Sequence, residues 1–385
     1  MNVWRRAGNG HQSTSADGGK GSAVAATHGA EDADAPLLEL RDFSVVFGRG
    51  DGATVASDRV SLAIEEQPPR VISIVGESGS GKTTTARSLL GLQPPSSGQA
   101  LWRGQDIYGL DRNGLRALRR EVQAVFQDPY GIFNPFYPID RVFNMTIRNF
   151  QLASSKAEKQ GLIEEALQAV NLRPGGVLGR YPHQLSGGER QRVMLARAWL
   201  LKPKVIVADE AISMLDVAVR AVIMNILLDF RERLGISTVF ITHDLSAAYY
   251  LGGDIMVMHR GRVVEAGDSI TVMSEPRHPY TRLLVESIPS PDPDVRWRGS
   301  AIPVSEDEIT GNVHLASRDR CLFTKRCPFV MDQCWSERPS FVPVQQQRVA
   351  CYLYTGSETA TLAGETIAAR RPGDRSIAER APASP

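Results

Sequence analysis

Cysteine is scarce in this chain of 385 residues: there are four, all between Cys321 and Cys351. That scarcity excludes a disulfide scaffold running through the fold. In a protein read as soluble and intracellular, clustered cysteines point to metal chemistry before disulfides. Also missing is any uninterrupted apolar stretch long enough to span a bilayer. Excess charge is absent as well, with a formal net charge of +1, so no polyanion-binding surface and no nucleic-acid partner are expected. Residues 1–35 are rich in Gly, Ala, Ser and Asp and lack an apolar h-region. They are expected to be a disordered leader, neither secretory signal nor membrane anchor, and 356–385 a similar tail. No internal repeat is evident, which implies one nucleotide site.

What is present begins with Gly76-Glu77-Ser78-Gly79-Ser80-Gly81-Lys82-Thr83, followed by Thr84. This matches the phosphate-loop pattern G-x-x-x-x-G-K-[ST]. Glycine lets the backbone approach oxygen closely, so the amides of Gly79, Ser80, Gly81 and Lys82 would line a triphosphate. Lys82 would reach the β/γ-phosphates, and Thr83 would place its hydroxyl on Mg²⁺. The setting fits: the apolar run Val71–Val75 reads as a buried parallel strand, and Thr84–Leu90 reads as a helix stopped by Gly91.

Alternating residues over Leu37–Phe47 and Val60–Ile64 predict half-exposed strands. Val205–Ala208 and Thr238–Ile241 predict two more buried strands, and Ile255–Met258 with Arg262–Glu265 a hairpin turning at Arg260-Gly261. From Tyr130 to about Ala198 the pattern is helical, with Leu162, Ile163, Ala166, Leu167 and Val170 in one stripe. A further helix starts near Val217 with Asp216 as cap and closes at Gly235.

Chemistry-bearing residues recur at the strand ends. Asp209 in a phosphate-loop fold holds Mg²⁺, and the next acid, Glu210, can orient and deprotonate the attacking water. Gln127, after a strand-like run, can bridge Mg²⁺ and that water. His243, ending another buried strand, can sense the γ-phosphate. Gln184-Leu185-Ser186-Gly187-Gly188-Glu189 opens a helix, and its hydroxyl and glycine amides form an anion site.

In this order these motifs resemble an ATP-binding cassette (ABC) ATPase over residues 37–270. The resemblance implies an α/β P-loop NTPase fold with an N-terminal antiparallel β subdomain and a helical signature subdomain. It implies ATP and Mg²⁺ as ligands, with Thr83, Gln127 and Asp209 around the metal, and Phe47 stacking on adenine. It also implies that the signature residues Ser186, Gly187, Gly188 and Glu189 serve ATP held by a facing cassette, and that Asp216 belongs to the nucleotide-binding residues. One departure is Ala211-Ile212 where the family usually has Pro and then a small or β-branched residue. Hydrolysis is expected to persist, with a less rigid turn after Glu210.

Gln127-Asp128-Pro129-Tyr130, Phe133-Asn134-Pro135, Arg180-Tyr181-Pro182-His183 and His278-Pro279-Tyr280-Thr281 resemble the ATPase subunits of oligopeptide and dipeptide importers. Phe133–Phe136 and Ser213–Asp216 resemble its oligosaccharide-linked branch more. Implied partners are a second cassette, identical or paralogous, two membrane permease subunits and an extracytoplasmic solute-binding protein. The implied location is the cytoplasmic face of the membrane, as a peripheral subunit. Cys321, Cys327, Cys334 and Cys351, spaced C-x5-C-x6-C-x16-C, resemble the C-terminal module of that group. There a [4Fe–4S] cluster is the first expectation, zinc the second and packed free thiols the third. This module, residues 271–355, is expected beyond a proline-rich junction at Pro289–Pro293, remote from hydrolysis. Other classes fit less well. A chromosome-organising ATPase would need long heptad coils between Thr83 and Val205, and a two-cassette factor a second site. A metal-cluster module with a vestigial ATP site would not keep Lys82, Asp209, Glu210 and His243.

Overall fold

The computed structural model describes residues 35–288 and 318–355. The expected leader (to residue 34), the junction at Pro289–Pro293 and the tail lie outside them.

Two sheets organise the chain. The smaller is antiparallel, in the order β2 (Thr54–Ile64), β1 (Leu38–Phe47), β4 (Ser97–Trp102), β5 (Gln105–Asp106). The larger begins with β3 (Val71–Val75) and gains β6 (Val122–Val125), β7 (Val205–Asp209), β8 (Ser237–Thr242), β9 (Asp254–His259) and β10 (Arg262–Asp268). Its edge is completed by β11 (Val342–Val344) and β12 (Gln347–Val349), giving the order β11-β12-β10-β9-β3-β8-β7-β6. Strands β9, β3, β8, β7 and β6 run parallel, and the rest of that sheet is antiparallel.

The strand period of two divides the core. Ile72, Ile74, Val205, Val207, Val239 and Ile241 face the small sheet and the helix Lys82–Leu89. Ile206, Ala208 and Phe240 face the helical half, where the signature helix Gly187–Trp199 and the helix Val217–Leu234 pack. The predicted stripe is there: Ile163, Ala166, Leu167 and Val170 are buried and Leu162 packs against them. A third cluster joins Val75, Ile255 and Val257 to Tyr280 and Phe323, with Cys321 and Cys327 against it.

The hairpin forms as expected, because Arg260 and Gly261 both take the left-handed backbone its tight turn needs. Gly235 likewise closes its helix at φ 67°. Strands β4, β11 and β12 and the helix Arg112–Glu121 were not anticipated. The C-terminal segment departs from expectation. Instead of standing apart, it adds β12 to β10, with Glu265 opposite Val349 and Gly267 opposite Gln347.

Candidate nucleotide-binding site

Buried strand β3 delivers the chain into the loop at Gly76, and Gly81 caps the helix Lys82–Leu89. Two glycines are dictated by space. A Cβ on Gly76 would lie 2.1 Å from the Met258 carbonyl oxygen, and one on Gly81 2.1 Å from that of Ala56. Both have positive φ, so a side chain would also strain the backbone. Lys82 is buried and its Nζ donates to the carbonyls of Gly76 and Glu77, both at 2.8 Å. Burial pushes its ammonium below the usual lysine range, opposed by the charges of Glu210, Asp209 and Glu77. Ser80 is buried and its Oγ lacks a hydrogen-bond partner. An orphaned hydroxyl inside such a loop fits an anion's oxygen. Ser78 and Gly79 are exposed, and Thr84 is half-buried in the first helical turn.

Parallel strand β7 brings Asp209 beside the loop, where Thr83 Oγ1 donates to Asp209 Oδ1 at 3.2 Å. Burial raises the Asp209 carboxyl above its ordinary value, with the Thr83 hydrogen bond pulling the other way. A carboxylate and a hydroxyl at this spacing form a hard oxygen donor set that fits Mg²⁺. A divalent cation there would pull that carboxyl back down. Glu210 follows at φ 48°, its N–H bonded to Ile241 O, and His243 Nδ1 is 3.5 Å from Glu210 Oε1. The two strand ends of β7 and β8 thus bring acid and imidazole together. Despite Ala211-Ile212, the turn is held: both are buried, and Ser213 Oγ donates to Glu210 O at 2.9 Å.

Gln127 is exposed just beyond β6. Phe47 ends β1 with 47 % exposure, outside the hydrophobic core. Ser186 heads its helix through a capping box: Glu189 N–H donates to Ser186 Oγ, and Ser186 N–H and Oγ donate to Glu189. Ser186 is exposed, Gly187 and Glu189 half-buried. Gly188 is buried, and a Cβ there would meet Val219 Cγ1 at 2.4 Å. Asp216 caps the helix Val217–Leu234 by accepting from Val219 N–H at 3.0 Å. The loop and the signature belong to helices in different core clusters on opposite faces of the large sheet.

Several site residues escaped the sequence. Arg220 donates to Leu215 O and Ser213 O and pairs with Asp244, tying the turn before Asp216 to the residue after His243. Gln191, in the signature helix, reaches Phe126 O beside Gln127. Tyr280 and Arg326 hold Glu77. The cysteine segment is therefore not remote from the nucleotide loop, and the expectation of distance is corrected. It failed because its contacts cross the fold from position 326 to position 77.

The four cysteines are free and line one small cavity with His278, Phe323 and Thr324. Burial pushes the thiols of Cys321, Cys327 and Cys351 up, Cys327 to about 11 and Cys351 to about 12. Among the described residues, no three His, Cys, Asp or Glu side chains converge closely enough to hold a metal ion.

A phosphate loop, a strand-end carboxylate pair and a strand-end histidine on the parallel strands of one sheet define a P-loop nucleotide hydrolase. The ABC transporter family profile matches residues 58–213, and the oligopeptide/dipeptide transporter C-terminal region profile matches 264–334. A probable peptide ABC transporter ATP-binding protein of Sinorhizobium fredii is 40 % identical over 314 residues, 81 % of this chain and 86 % of that protein. The oligopeptide transport ATP-binding protein OppF of Escherichia coli is 34 % identical over 324 residues, 82 % of this chain and 95 % of its own length. Among solved structures, the ATP-binding cassette MJ0796, a dimer in a post-hydrolysis state bound to ADP and Pi, superposes at TM-score 0.53 with 28 % identity. That match covers 60 % of this chain and 99 % of the other. The chain belongs to the ABC transporter ATP-binding family, and it is an ABC-type ATPase that powers solute transport.

Proposed function

We propose that this chain drives import of oligopeptides or dipeptides through separate permease chains. The observation that carries it is the pairing of a complete nucleotide site with an oligopeptide/dipeptide-type C-terminal region in one chain. Glu210 is the base for the attacking water, oriented by His243. Lys82, the amides of Gly79, Ser80 and Gly81, and Ser78 and Thr84 at the loop's rim bind the triphosphate. Thr83, Asp209 and Gln127 would hold Mg²⁺, which would supply charge neutralisation on the phosphates. Phe47 stacks on adenine.

Ser186, Gly187, Gly188, Glu189 and Asp216 serve the nucleotide of a facing cassette. The exposed Met214 and Val217, flanking Asp216, support an apolar partner surface there. Phe136, 83 % exposed after the Gln127 loop, supports permease docking by that region. The chain would sit peripherally on the cytoplasmic membrane face, with an extracytoplasmic binding protein choosing the solute. Among the described residues no helix is long and apolar enough to cross a membrane.

The test is reconstitution of the complex co-purified from gently solubilised membranes, with labelled peptides and oligosaccharides offered. ATP-dependent peptide uptake is expected, and Glu210→Gln should bind ATP yet lower turnover at least ~10²-fold. Oligosaccharide uptake in place of peptide would move the chain to the other branch. Normal turnover by the variant would remove Glu210 from its role.

A second reading concerns the cysteines. That Cys321, Cys327, Cys334 and Cys351 line one cavity supports a shared metal group. A lone zinc ion needs thiolates within about 4 Å of one another, given Zn–S bonds of about 2.3 Å. That convergence is not met among the described residues, and the [4Fe–4S] reading rests on the cysteine spacing and the resemblance of the C-terminal module.

A further inference from the structure

Glu77 is held on three sides. Its backbone N–H donates to Tyr280 Oη at 2.9 Å, and its carbonyl accepts from Lys82 Nζ at 2.8 Å. Its carboxylate takes a two-pronged bond from Arg326, Nη2 to Oε1 at 3.0 Å and Nη1 to Oε2 at 3.2 Å. Two of these holds come from residues 203 and 249 positions away in the chain. Neither belongs to the motif that binds phosphate.

Both outside holders are themselves fixed. Tyr280 is fully buried, with its ring 4.3 Å from that of His259 and 5.6 Å from that of Phe323. The Arg326 guanidinium lies 5.6 Å from the Phe323 ring centroid, and its side chain is 12 % exposed. Phe323, between Cys321 and Cys327 in sequence, is buried in the cluster against which both cysteines pack.

The charge balance matters because the loop must receive a polyanion. Glu77 contributes a negative charge within that loop, close enough to act on the Lys82 ammonium. A paired guanidinium cancels that charge and fixes the carboxylate in one place. When Lys82 turns to a phosphate, its bond to the Glu77 carbonyl weakens. Tyr280 and Arg326 then hold the loop's first turn with the Ser80 N–H, which donates to the Glu77 carbonyl at 3.2 Å.

We propose that Tyr280 and Arg326 are positioning residues that clamp Glu77, so that the C-terminal segment sets the affinity of the nucleotide loop for ATP. The clamp rests on the assignment of this loop as the ATP site. It works by pre-organisation: the loop is held in its binding shape before the nucleotide arrives, so less ordering remains to be done on binding. Removing Arg326 leaves an unpaired carboxylate in a loop that receives phosphates, and removing the Tyr280 hydroxyl leaves a half-buried N–H without its acceptor.

The test is titration of the full-length chain with a fluorescent ATP analogue and Mg²⁺, alongside thermal melting without nucleotide. Arg326→Ala should weaken binding ~5-fold, as expected for loss of a charge-assisted pair at a polyanion site. Arg326→Gln, which keeps the stem packed on Phe323, should shift affinity the same way, and Arg326→Lys by less. Adding Glu77→Gln to Arg326→Ala should recover most of the lost affinity, because the unpaired charge is gone. It should not rescue Tyr280→Phe, whose lesion lies at the backbone. A purely structural Arg326 would lower the melting temperature with no such rescue. Wild-type affinity in Arg326→Ala or Arg326→Gln, or no recovery in the double variant, overturns the clamp. Failure of the wild-type chain itself to bind would instead overturn the ATP-site assignment.

Discussion

Glu265 shows what a single buried carboxyl does to this fold. It lies in β10, fully buried, and accepts from Arg277 N–H at 2.7 Å and His278 N–H at 2.9 Å. It thereby fixes the lead-in to the helix that carries Tyr280. Burial pushes its pKa up to about 7, against the pull of Thr281 and the two amides. The folded chain therefore keeps a proton that the unfolded chain has released above the ordinary glutamate range. Stability from this group is full below that range and is lost as pH rises through about 7. His278, held down to about 3 by burial, and His259, held well below its usual value, act oppositely by costing stability in acid. The informative quantity is therefore a difference. Glu265→Gln, neutral at every pH, should gain melting temperature relative to wild type as pH rises from about 5 to about 8. A constant difference across that range would show that Glu265 is ionised throughout.

At the scale of elements, legibility depended on how local the physics is. Buried strands β3, β7 and β8 were readable because both faces are covered and the residues are uniformly apolar. The helix opening at Gln184–Glu189, the cap Asp216 and the stop at Gly235 were readable because helix ends are settled within four residues. Strands β11 and β12 were not, since each is three residues long and β12 exists by pairing with β10 and β11 by pairing with β12. Arg326 to Glu77 was equally invisible: an arginine between a lysine and a cysteine carries no sign of a partner 249 positions away. The cysteines stand between these cases, because their spacing announced a cluster but not the cavity's proximity to the nucleotide loop. For that segment we expect anaerobically purified protein to be brown, with about four iron atoms per chain. Cys327→Ser should bleach it and, through neighbouring Arg326, also weaken ATP binding. Zinc by elemental analysis would keep the shared site and refute the cluster. Free alkylation of all four thiols in the folded, metal-free protein would leave only packed thiols.

For the whole molecule, the placing of the two anion-binding features decides how many chains make one ATP site. The loop's helix belongs to the core beneath the small sheet, and the signature helix to the helical core on the other face of the large sheet. Ser186 is exposed at its helix start, with Met214 and Val217 exposed by Asp216. A helix start with free amides and a positive end is useful only to an anion that reaches it, and here the anion is expected from a second chain. Each site of a two-fold dimer would then join one chain's Lys82 to the partner's signature. Lys82→Ala and Ser186→Arg should each silence both sites of their own homodimer. Mixed in equal amounts, they should regain about a quarter of the wild-type sites, because half the dimers are mixed and each carries one site free of both lesions. If the partner is a paralogue, the two lesions silence one shared site when placed on opposite chains, and both sites when placed on the same chain. ATPase activity that stays at the level of the separate variants after mixing, in a chain shown to self-associate and exchange, would mean that the signature serves its own chain's nucleotide.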